Sequence, residues 1–183
     1  CYSLEKVDGS SSHVSYNLDE DKLHFFSGGA KYDEFVALFN QEELLEKFKT
    51  NAKEHPYVKK ITLYGEAYGG KLQGMSTTYG PNLKFIVFEV CITDKDGKDF
   101  WLDVPNAEKL AMRFGQEFVY YELIETTEEA INASMMSPSV QAVRNGMGEG
   151  HLREGIVIRP RLELVHQAGG LPIRVKHKHP AFA

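Results

Sequence analysis

Short strand-like runs separated by turn residues are the feature of this sequence that most restricts its fold. The runs are rich in valine, isoleucine, phenylalanine and tyrosine, and turn signals such as Asp96-Gly97 stand between them. They cover approximately residues 1–6, 12–17, 22–26, 59–67, 83–93, 98–103, 117–121, 155–160 and 172–178. Strands that outnumber helices and do not alternate regularly with them indicate an α+β fold with largely antiparallel sheets.

Helix-face spacing of apolar residues predicts helices in the intervals between these strands. They are predicted over residues 32–39 continuing into 41–54, and over 105–114, 126–133 and 137–144. Asp103 or Val104 would start the helix over 105–114, with Pro105 in its first turn. The chain has no internal repeat, low-complexity tract or linker-like run, so we interpret it as one domain. Its helices are expected to flank the sheets.

The formal charge of the chain is −5 over 183 residues, but it is unevenly distributed. Residues 144–183 contain seven lysines and arginines against three acids, which leaves the first 143 residues at −9. Such asymmetry is typical of a site for a polyanion on an otherwise acidic protein. A solvated basic surface is the alternative explanation, and charge alone favours it.

The cysteine content and the hydropathy pattern restrict the setting of the protein. Cys1 and Cys91 provide neither a disulfide framework nor a metal cluster, so we expect a reducing intracellular setting, cytoplasmic or nuclear. No apolar run approaches the roughly 20 residues that a membrane-spanning helix needs, and no membrane partner is expected.

Charged residues stand at the ends or edges of four otherwise apolar segments. The segments are EKVDG (5–9), LYGEAYGG (63–70), REGIVIRP (153–160) and IRVKHK (173–178). One charge at a sheet edge is commonplace and usually reaches water. Four such segments would instead gather charged side chains around one concave sheet. These side chains are Lys6, Glu66, Glu154, Lys176 and Lys178.

The same segments resemble the motifs of the covalent nucleotidyltransferases, the polynucleotide ligases and mRNA capping enzymes. In order they are Lys-x-Asp-Gly, Tyr-Gly-Glu, Phe-x-x-Phe-Glu, Glu-Gly-Ile-Val-Ile and a terminal Lys-x-Lys, and they span residues 5–178. Each motif alone is weak, whereas the ordered set is specific. In its size and in its Gly-Glu-Ala-Tyr-Gly-Gly segment, the sequence most resembles the ATP-dependent RNA ligases of the RNA ligase 2 type. The resemblance implies an ATP-grasp-like nucleotidyltransferase domain of largely antiparallel sheets.

The resemblance implies that Lys6 is the nucleophile. In such ligases this lysine attacks the α-phosphorus of ATP, releases pyrophosphate and forms lysyl-AMP. The AMP then passes to an RNA 5′-phosphate, and a 3′-hydroxyl displaces it to join the strands. An amine attacks only when it is deprotonated, and neighbouring cations such as Lys176 and Lys178, or a bound metal, favour that form. Without the other motifs, Lys6 would be interpreted as an exposed hairpin lysine.

Further nucleotide-binding roles follow from the same resemblance. Asp8 would take part in nucleotide transfer, and the backbone of Glu5 would contact the adenine edge. Glu66 would accept hydrogen bonds from the ribose hydroxyls, a task that suits a carboxylate. Phe88 would stack on the purine. Strand alternation places Phe85 on the opposite face, in the core.

The resemblance also implies the phosphate and metal contacts. Glu154 would hold Mg²⁺ or Mn²⁺, since Mg²⁺ prefers oxygen ligands and substrate phosphates. Lys176 and Lys178 lie two apart on a strand, so they share a face and can hold the α-phosphate oxygens. Arg159 and Arg161 are interpreted as surface charges, with contact to a nucleic-acid backbone as the alternative.

Two departures from the family pattern stand out. Glu89 occupies a position where the family usually has aspartate. Relatives also carry an arginine on the strand after the nucleophile hairpin. Here the region 23–35 has Ser27-Gly28-Gly29 instead. Either Lys31 replaces the arginine or the phosphate is recognised differently.

The sequence thus predicts an ATP-dependent RNA ligase that acts on RNA ends or nicked duplex. Residues 1–183 would be its adenylyltransferase domain, either a core or a minimal enzyme, with a C-terminal domain or a partner supplying further nucleic-acid contacts. An ATP-dependent DNA ligase, a capping-type guanylyltransferase and a non-catalytic nucleotide- or RNA-binding module are the alternatives.

Overall fold

A computed structural model describes the whole chain, residues 1–183, and divides it into two compact units. The first unit comprises Cys1–Gly9, Tyr68–Asn82 and Val119–Ala183, and the second comprises Ser10–Ala67 and Leu83–Phe118. The nine strands are β1 Tyr2–Lys6, β2 Gly9–Asn17, β3 Lys22–Ser27, β4 Val58–Gly69, β5 Leu83–Asp94, β6 Asp99–Trp101, β7 Tyr121–Leu123, β8 Gly155–Arg159 and β9 Val175–Lys178. The helices are α1 Tyr32–Val36, α2 Gln41–Glu54, α3 Ser76–Tyr79, α4 Val104–Arg113, α5 Glu128–Met136 and α6 Val140–Arg144, with short 3₁₀ turns at Leu72–Gly74 and Pro180–Phe182.

The first unit is built on a four-stranded sheet in the order β7-β1-β8-β9, with antiparallel neighbours throughout. Leu4 on β1 and Ile156 on β8 are buried, and Tyr68 meets the edge of Tyr79 with ring centroids 5.3 Å apart. The apolar side chains of the strands and of the intervening segment 68–82 thus form the core of this unit.

The second unit is built on a five-stranded sheet in the order β3-β2-β4-β5-β6. Asn40 caps the start of helix α2, and its side chain accepts a hydrogen bond from the backbone N–H of Glu43. Phe48 on the buried face of α2 stacks on Phe114 at 4.2 Å between ring centroids. None of the helices is both long and apolar enough to cross a bilayer.

The predicted α+β class and the antiparallel sheets are confirmed, and the differences have local causes. The predicted run over 32–54 is interrupted, because α1 ends at Val36 and Asn40 caps a separate helix. The strand predicted at 117–121 starts at Tyr121, since Phe118 forms only an isolated bridge to Val87. Helix α3 was not predicted, since four residues are too few to show helical periodicity.

Candidate active site

Lys6 and Lys178 are brought level with one another at one end of the four-stranded sheet. Lys6, the last residue of β1, pairs with Gly155, and Gly155 pairs in turn with Lys178, the last residue of β9. Lys6 Nζ lies 2.7 Å from Glu154 Oε2, and Lys178 Nζ lies 3.4 Å from Glu154 Oε1. Three residues singled out in the sequence therefore form one ion-pair network.

The Glu154 carboxylate is almost enclosed. Its side chain is 6% exposed, against 18% for Lys6 and 49% for Lys178. A carboxylate removed from water is costly unless opposite charge and hydrogen bonds compensate it. Two lysines on its two oxygens provide that compensation. The exposed ammonium of Lys178 leaves positive charge available to an anionic ligand.

Gly155 allows the three strands to meet at this point. A Cβ at this position would collide with the carbonyl oxygen of His177 and would lie 2.7 Å from the Cα of Lys178. Backbone atoms cannot move aside as the end of a side chain can, so only glycine lets β8 and β9 pair here. The glycine that lets β9 approach β8 therefore directly follows Glu154, the acid that contacts Lys178.

Asp8 lies at the bend between β1 and β2, two residues after Lys6. Burial raises the pKa of its carboxyl above the ordinary 3.8, and the charge of Glu154 raises it further, while Lys6 and Lys178 oppose the rise. The backbone N–H of Asp8 donates to the hydroxyl of Tyr79 at 3.2 Å. Asp8 and Glu154 are therefore two interacting carboxylates beside one lysine.

Lys176 lies on β9 opposite Val157 and is exposed. It is two residues from Lys178 and shares its face, as alternation predicts. His177 points the other way, with its Nε2 lying 2.8 Å from Asn132 Oδ1. Of the two lysines of the terminal pair, Lys178 therefore contacts Glu154, whereas Lys176 is exposed.

Glu5 has a structural role that the sequence did not reveal. Its side chain is buried, and its carboxylate accepts hydrogen bonds from Ser139 Oγ at 2.5 Å, from Val140 N at 2.9 Å and from Gln141 N at 3.1 Å. These are the donors at the start of α6, where a negative charge is favourable. A lone acid in a strand gives no sequence signal for capping a helix that begins 135 residues later.

Glu66 and Phe88 belong to the second unit. Glu66 lies on β4 and Phe88 on β5, and both are half-buried. Phe85 is buried and packs edge-on against Phe35 and at a tilt against Phe39, each with ring centroids 5.5 Å apart. The assignment of Phe85 to the core is thus confirmed, and strand alternation places Phe88 on the opposite face.

The region expected to hold an arginine carries only an exposed lysine. Lys31 precedes α1, and its Nζ lies 3.9 Å from Glu34 Oε1. Both side chains are largely exposed. An ion pair of this kind contributes little to stability.

The interpretation of Arg159 as a surface charge was wrong. Arg159 is 1% exposed and donates to Glu163 Oε1 at 2.8 Å, and Arg174 donates to the other oxygen of Glu163 at 2.9 Å. Arg153 is also buried and donates to the carbonyl of Pro138 at 2.9 Å. Some of the arginines that make the chain basic after residue 143 are therefore buried. The acid four residues along the chain was the available signal.

The donor set around Lys6 suits a metal ion that arrives with phosphate. No group of three or more histidine, cysteine, aspartate or glutamate side chains is arranged to hold a metal ion. Mg²⁺ and related ions are commonly held by one or two carboxylates together with substrate phosphates and water. Glu154 and Asp8 are two such carboxylates, close enough for the charge of one to affect the other.

Solved structures with this fold include variants of an RNA ligase from Naegleria gruberi. A lysine-to-alanine variant with ATP and Mn has a TM-score of 0.67 at 16% identity over 99% of this chain and 49% of that chain. A lysine-to-methionine variant with AMP and Mn gives 0.67 at 17%, over 99% and 50%. A glutamate-to-alanine variant with ATP and Mn gives 0.68 at 18%, also over 99% and 50%. The chain spans about half the length of these ligases.

The sequence itself matches the RNA ligase family over residues 2–176. No curated protein matches it significantly. The matched region contains Lys6, Glu154 and Lys176, and it ends two residues before Lys178. The chain belongs to the RNA ligase family.

Proposed function

We propose that this chain is the adenylyltransferase domain of an ATP-dependent RNA ligase. It would attach AMP to Lys6, transfer the AMP to an RNA 5′-phosphate, and let a 3′-hydroxyl displace it to join the strands. The observation that carries the proposal is the contact of Lys6 and Lys178 with the two oxygens of Glu154, in a member of the RNA ligase family.

The first chemical step would use the ion-pair network directly. The Lys6 ammonium must lose a proton before it attacks, and Glu154 Oε2 is its hydrogen-bonded acceptor at 2.7 Å. The P–N bond then forms at the α-phosphorus as the P–O bond to pyrophosphate breaks, and a second proton leaves the nitrogen for solvent. The positive charge of Lys178, together with that of Lys176, would stabilise the negative charge on the phosphate oxygens.

Glu154, with Asp8 beside it, would hold Mg²⁺ or Mn²⁺ when the nucleotide is bound. Such an ion neutralises phosphate charge and orients the triphosphate. The residues of the chain itself would meanwhile orient the amine, since Glu154 fixes the position of Lys6 Nζ.

The base and the ribose of the nucleotide would be bound by Glu5, Phe88 and Glu66. The backbone of Glu5 would contact adenine, because its side chain is engaged at the start of α6. Phe88 would stack on the purine, and Glu66 would accept hydrogen bonds from the ribose. Phe88 and Glu66 are half-buried, so part of the surface of each is accessible to a ligand.

The substrate would be an RNA end or a nick in a duplex. A C-terminal domain or a partner would supply further nucleic-acid contacts. We place the enzyme inside the cell, cytoplasmic or nuclear. A reducing compartment suits the free thiols of Cys1 and Cys91.

Covalent labelling tests the proposal. The protein is mixed with ATP labelled at the α-phosphate and Mg²⁺, then denatured and separated on a gel. We expect label on the wild type, none on Lys6→Ala, and loss of label when pyrophosphate is added. Lys109→Ala, which changes a lysine on α4, is the matched control and should label normally.

Further arms of the same experiment separate the alternatives. Label from GTP but not ATP would indicate capping-type chemistry. Transfer of AMP to a 5′-phosphorylated DNA but not to the same RNA sequence would indicate a DNA ligase. No label from either nucleotide on folded protein would leave a binding module and contradict the proposal.

A further inference from the structure

The bend that carries Lys6 is held by side chains from the segment 72–79. The backbone N–H of Asp8 donates to the hydroxyl of Tyr79 at 3.2 Å. One residue further along, the carbonyl of Gly9 accepts a hydrogen bond from Gln73 Nε2, also at 3.2 Å. Both side chains come from the short helical turns between β4 and β5.

Tyr79 is itself fixed in the interior of the first unit. It is 1% exposed, and its ring meets that of Tyr68 edge-on. Its carbonyl accepts from Asn145 Nδ2 at 2.9 Å, and Asn145 Oδ1 accepts from Gln141 Nε2 at 3.0 Å. Burial raises the pKa of the Tyr79 hydroxyl, so the group stays neutral.

These bonds close a continuous polar circuit around the nucleophile. The circuit runs from the Glu5 carboxylate to Gln141 at the start of α6, then through Asn145 and Tyr79 to the N–H of Asp8. The circuit therefore holds the chain on both sides of Lys6, at Glu5 and at Asp8. Buried networks of satisfied polar groups of this kind restrict a backbone to one conformation.

The conformation of Gln73 is a second indication that the segment 72–79 positions the bend. Its φ is +53°, a left-handed conformation that is uncommon for a residue with a side chain. Its side chain is exposed and its amide reaches Gly9, 64 residues away in sequence. Backbone strain of this type persists where other interactions impose it and is frequent near functional sites.

We propose that the segment 72–79 is a positioning element in which Tyr79 and Gln73 hold the Lys6–Gly9 bend for attack by Lys6. The inference rests on the proposed adenylyltransferase function. Neither residue needs to touch the nucleotide, since both act through the backbone of the bend. Their loss should reduce the rate of Lys6 adenylylation and leave the ATP concentration for half-saturation nearly unchanged.

Two variants remove these contacts at little cost to the fold. Tyr79→Phe deletes one hydroxyl and keeps the buried ring. Gln73→Gly deletes the amide and supplies the residue that adopts φ +53° without strain. Tyr16→Phe is the control, because Tyr16 is another buried tyrosine whose hydroxyl donates to Asp21 at 2.7 Å in the second unit.

The rate of self-adenylylation is measured in a single turnover at a series of ATP concentrations. We expect Tyr79→Phe to slow it about three- to tenfold and Gln73→Gly about two- to fivefold, the range that one neutral hydrogen bond supports. Tyr16→Phe should lower thermal stability without slowing labelling. Wild-type rates in both Tyr79→Phe and Gln73→Gly would overturn the inference.

Hydrogen exchange at the Asp8 amide tests the bend independently of activity. Tyr79→Phe should exchange this amide faster than the wild type, and an unchanged rate would contradict the inference. If the wild type takes up no label, the proposed function fails. If it labels while the Asp8 amide and the labelling rate are unaffected by Tyr79→Phe, only the positioning role fails.

Discussion

Lys6 and Lys178 lie opposite the same residue, Gly155, on the two strands that flank β8. The first and last charged residues of the nucleotidyltransferase pattern are thereby placed level with one another, although 172 positions separate them. Glu154, the residue before Gly155, contacts both ammonium groups. The register of three strands thus assembles the candidate site.

Replacement of Glu154 by glutamine tests the ion-pair network. The change keeps the side-chain volume and removes the charge that Lys6 and Lys178 share. We expect the free energy of unfolding to fall by about 1.5–3 kcal/mol, the range for hydrogen bonds to charged groups. Urea unfolding measures it, with Glu149→Gln in the exposed loop as control. Equal stabilities of Glu154→Gln and the wild type would show that the network contributes nothing.

Replacement of Gly155 by alanine tests the strand register. The new Cβ collides with the backbone of His177, so β9 must shift away from β8. Overpacking of this kind costs about 1–3 kcal/mol, and we expect a lower melting temperature together with slower labelling of Lys6. Gly169→Ala is the matched control, since a Cβ there has no neighbour within 4 Å. If both variants melt alike, the close approach is not needed.

The raised pKa of Asp8 predicts a defined pH dependence of stability. A carboxyl whose pKa is higher in the folded than in the unfolded state contributes stability below its unfolded value of 3.8, and that contribution is lost as pH rises through the folded pKa. Asp8→Asn cannot ionise. Its stability relative to the wild type should therefore increase as pH rises from below 3.8, and then level off.

Asp21 provides a control of opposite sign. Hydrogen bonds from Tyr16 and Lys49 lower the pKa of its carboxyl, so its contribution is present above the ordinary 3.8 and is lost as pH falls. Asp21→Asn should lose stability relative to the wild type as pH rises. Urea unfolding between pH 3 and about pH 7 checks both trends. Parallel curves for Asp8→Asn and Asp21→Asn would contradict the assignment.

Replacement of Glu5 by glutamine tests the circuit at its other end. The amide offers one acceptor oxygen where the carboxylate accepts from Ser139, Val140 and Gln141. The loss of charge-assisted bonds at a buried helix start should cost about 1.5–3 kcal/mol in the free energy of unfolding. Glu42→Gln, an exposed acid in the first turn of α2, should cost much less. Similar losses in the two variants would refute a special role for Glu5.

The ordered motifs were sufficient to predict that Lys6, Glu154 and Lys178 gather around one sheet, but not that both lysines contact Glu154. Lys6, Glu154 and Lys178 are polar residues at the ends of apolar strands, a pattern that short-range propensity does not produce. Their order matched a family, whereas the pairing of the strands that carry them is known from the structure. The core position of Phe85 followed from strand alternation alone.

The supporting contacts could not be predicted for physical reasons. Tyr79 looks like any buried aromatic residue, because the partner of its hydroxyl is a backbone N–H 71 residues away. Arg159 looked like a surface charge because burial of an arginine depends on a partner, here Glu163, whose position is set by the fold. Sequence patterns report which face of a strand a residue occupies but not which distant donor meets it.

The most direct measurement identifies the residue that carries AMP. The protein is incubated with ATP and Mg²⁺, digested with a protease, and its peptides are analysed by mass spectrometry. We predict an AMP adduct on Lys6 alone, which disappears when pyrophosphate is added before digestion. An adduct on Lys176, Lys178 or any other side chain, or no adduct on folded protein, would contradict the assignment of Lys6 as the nucleophile.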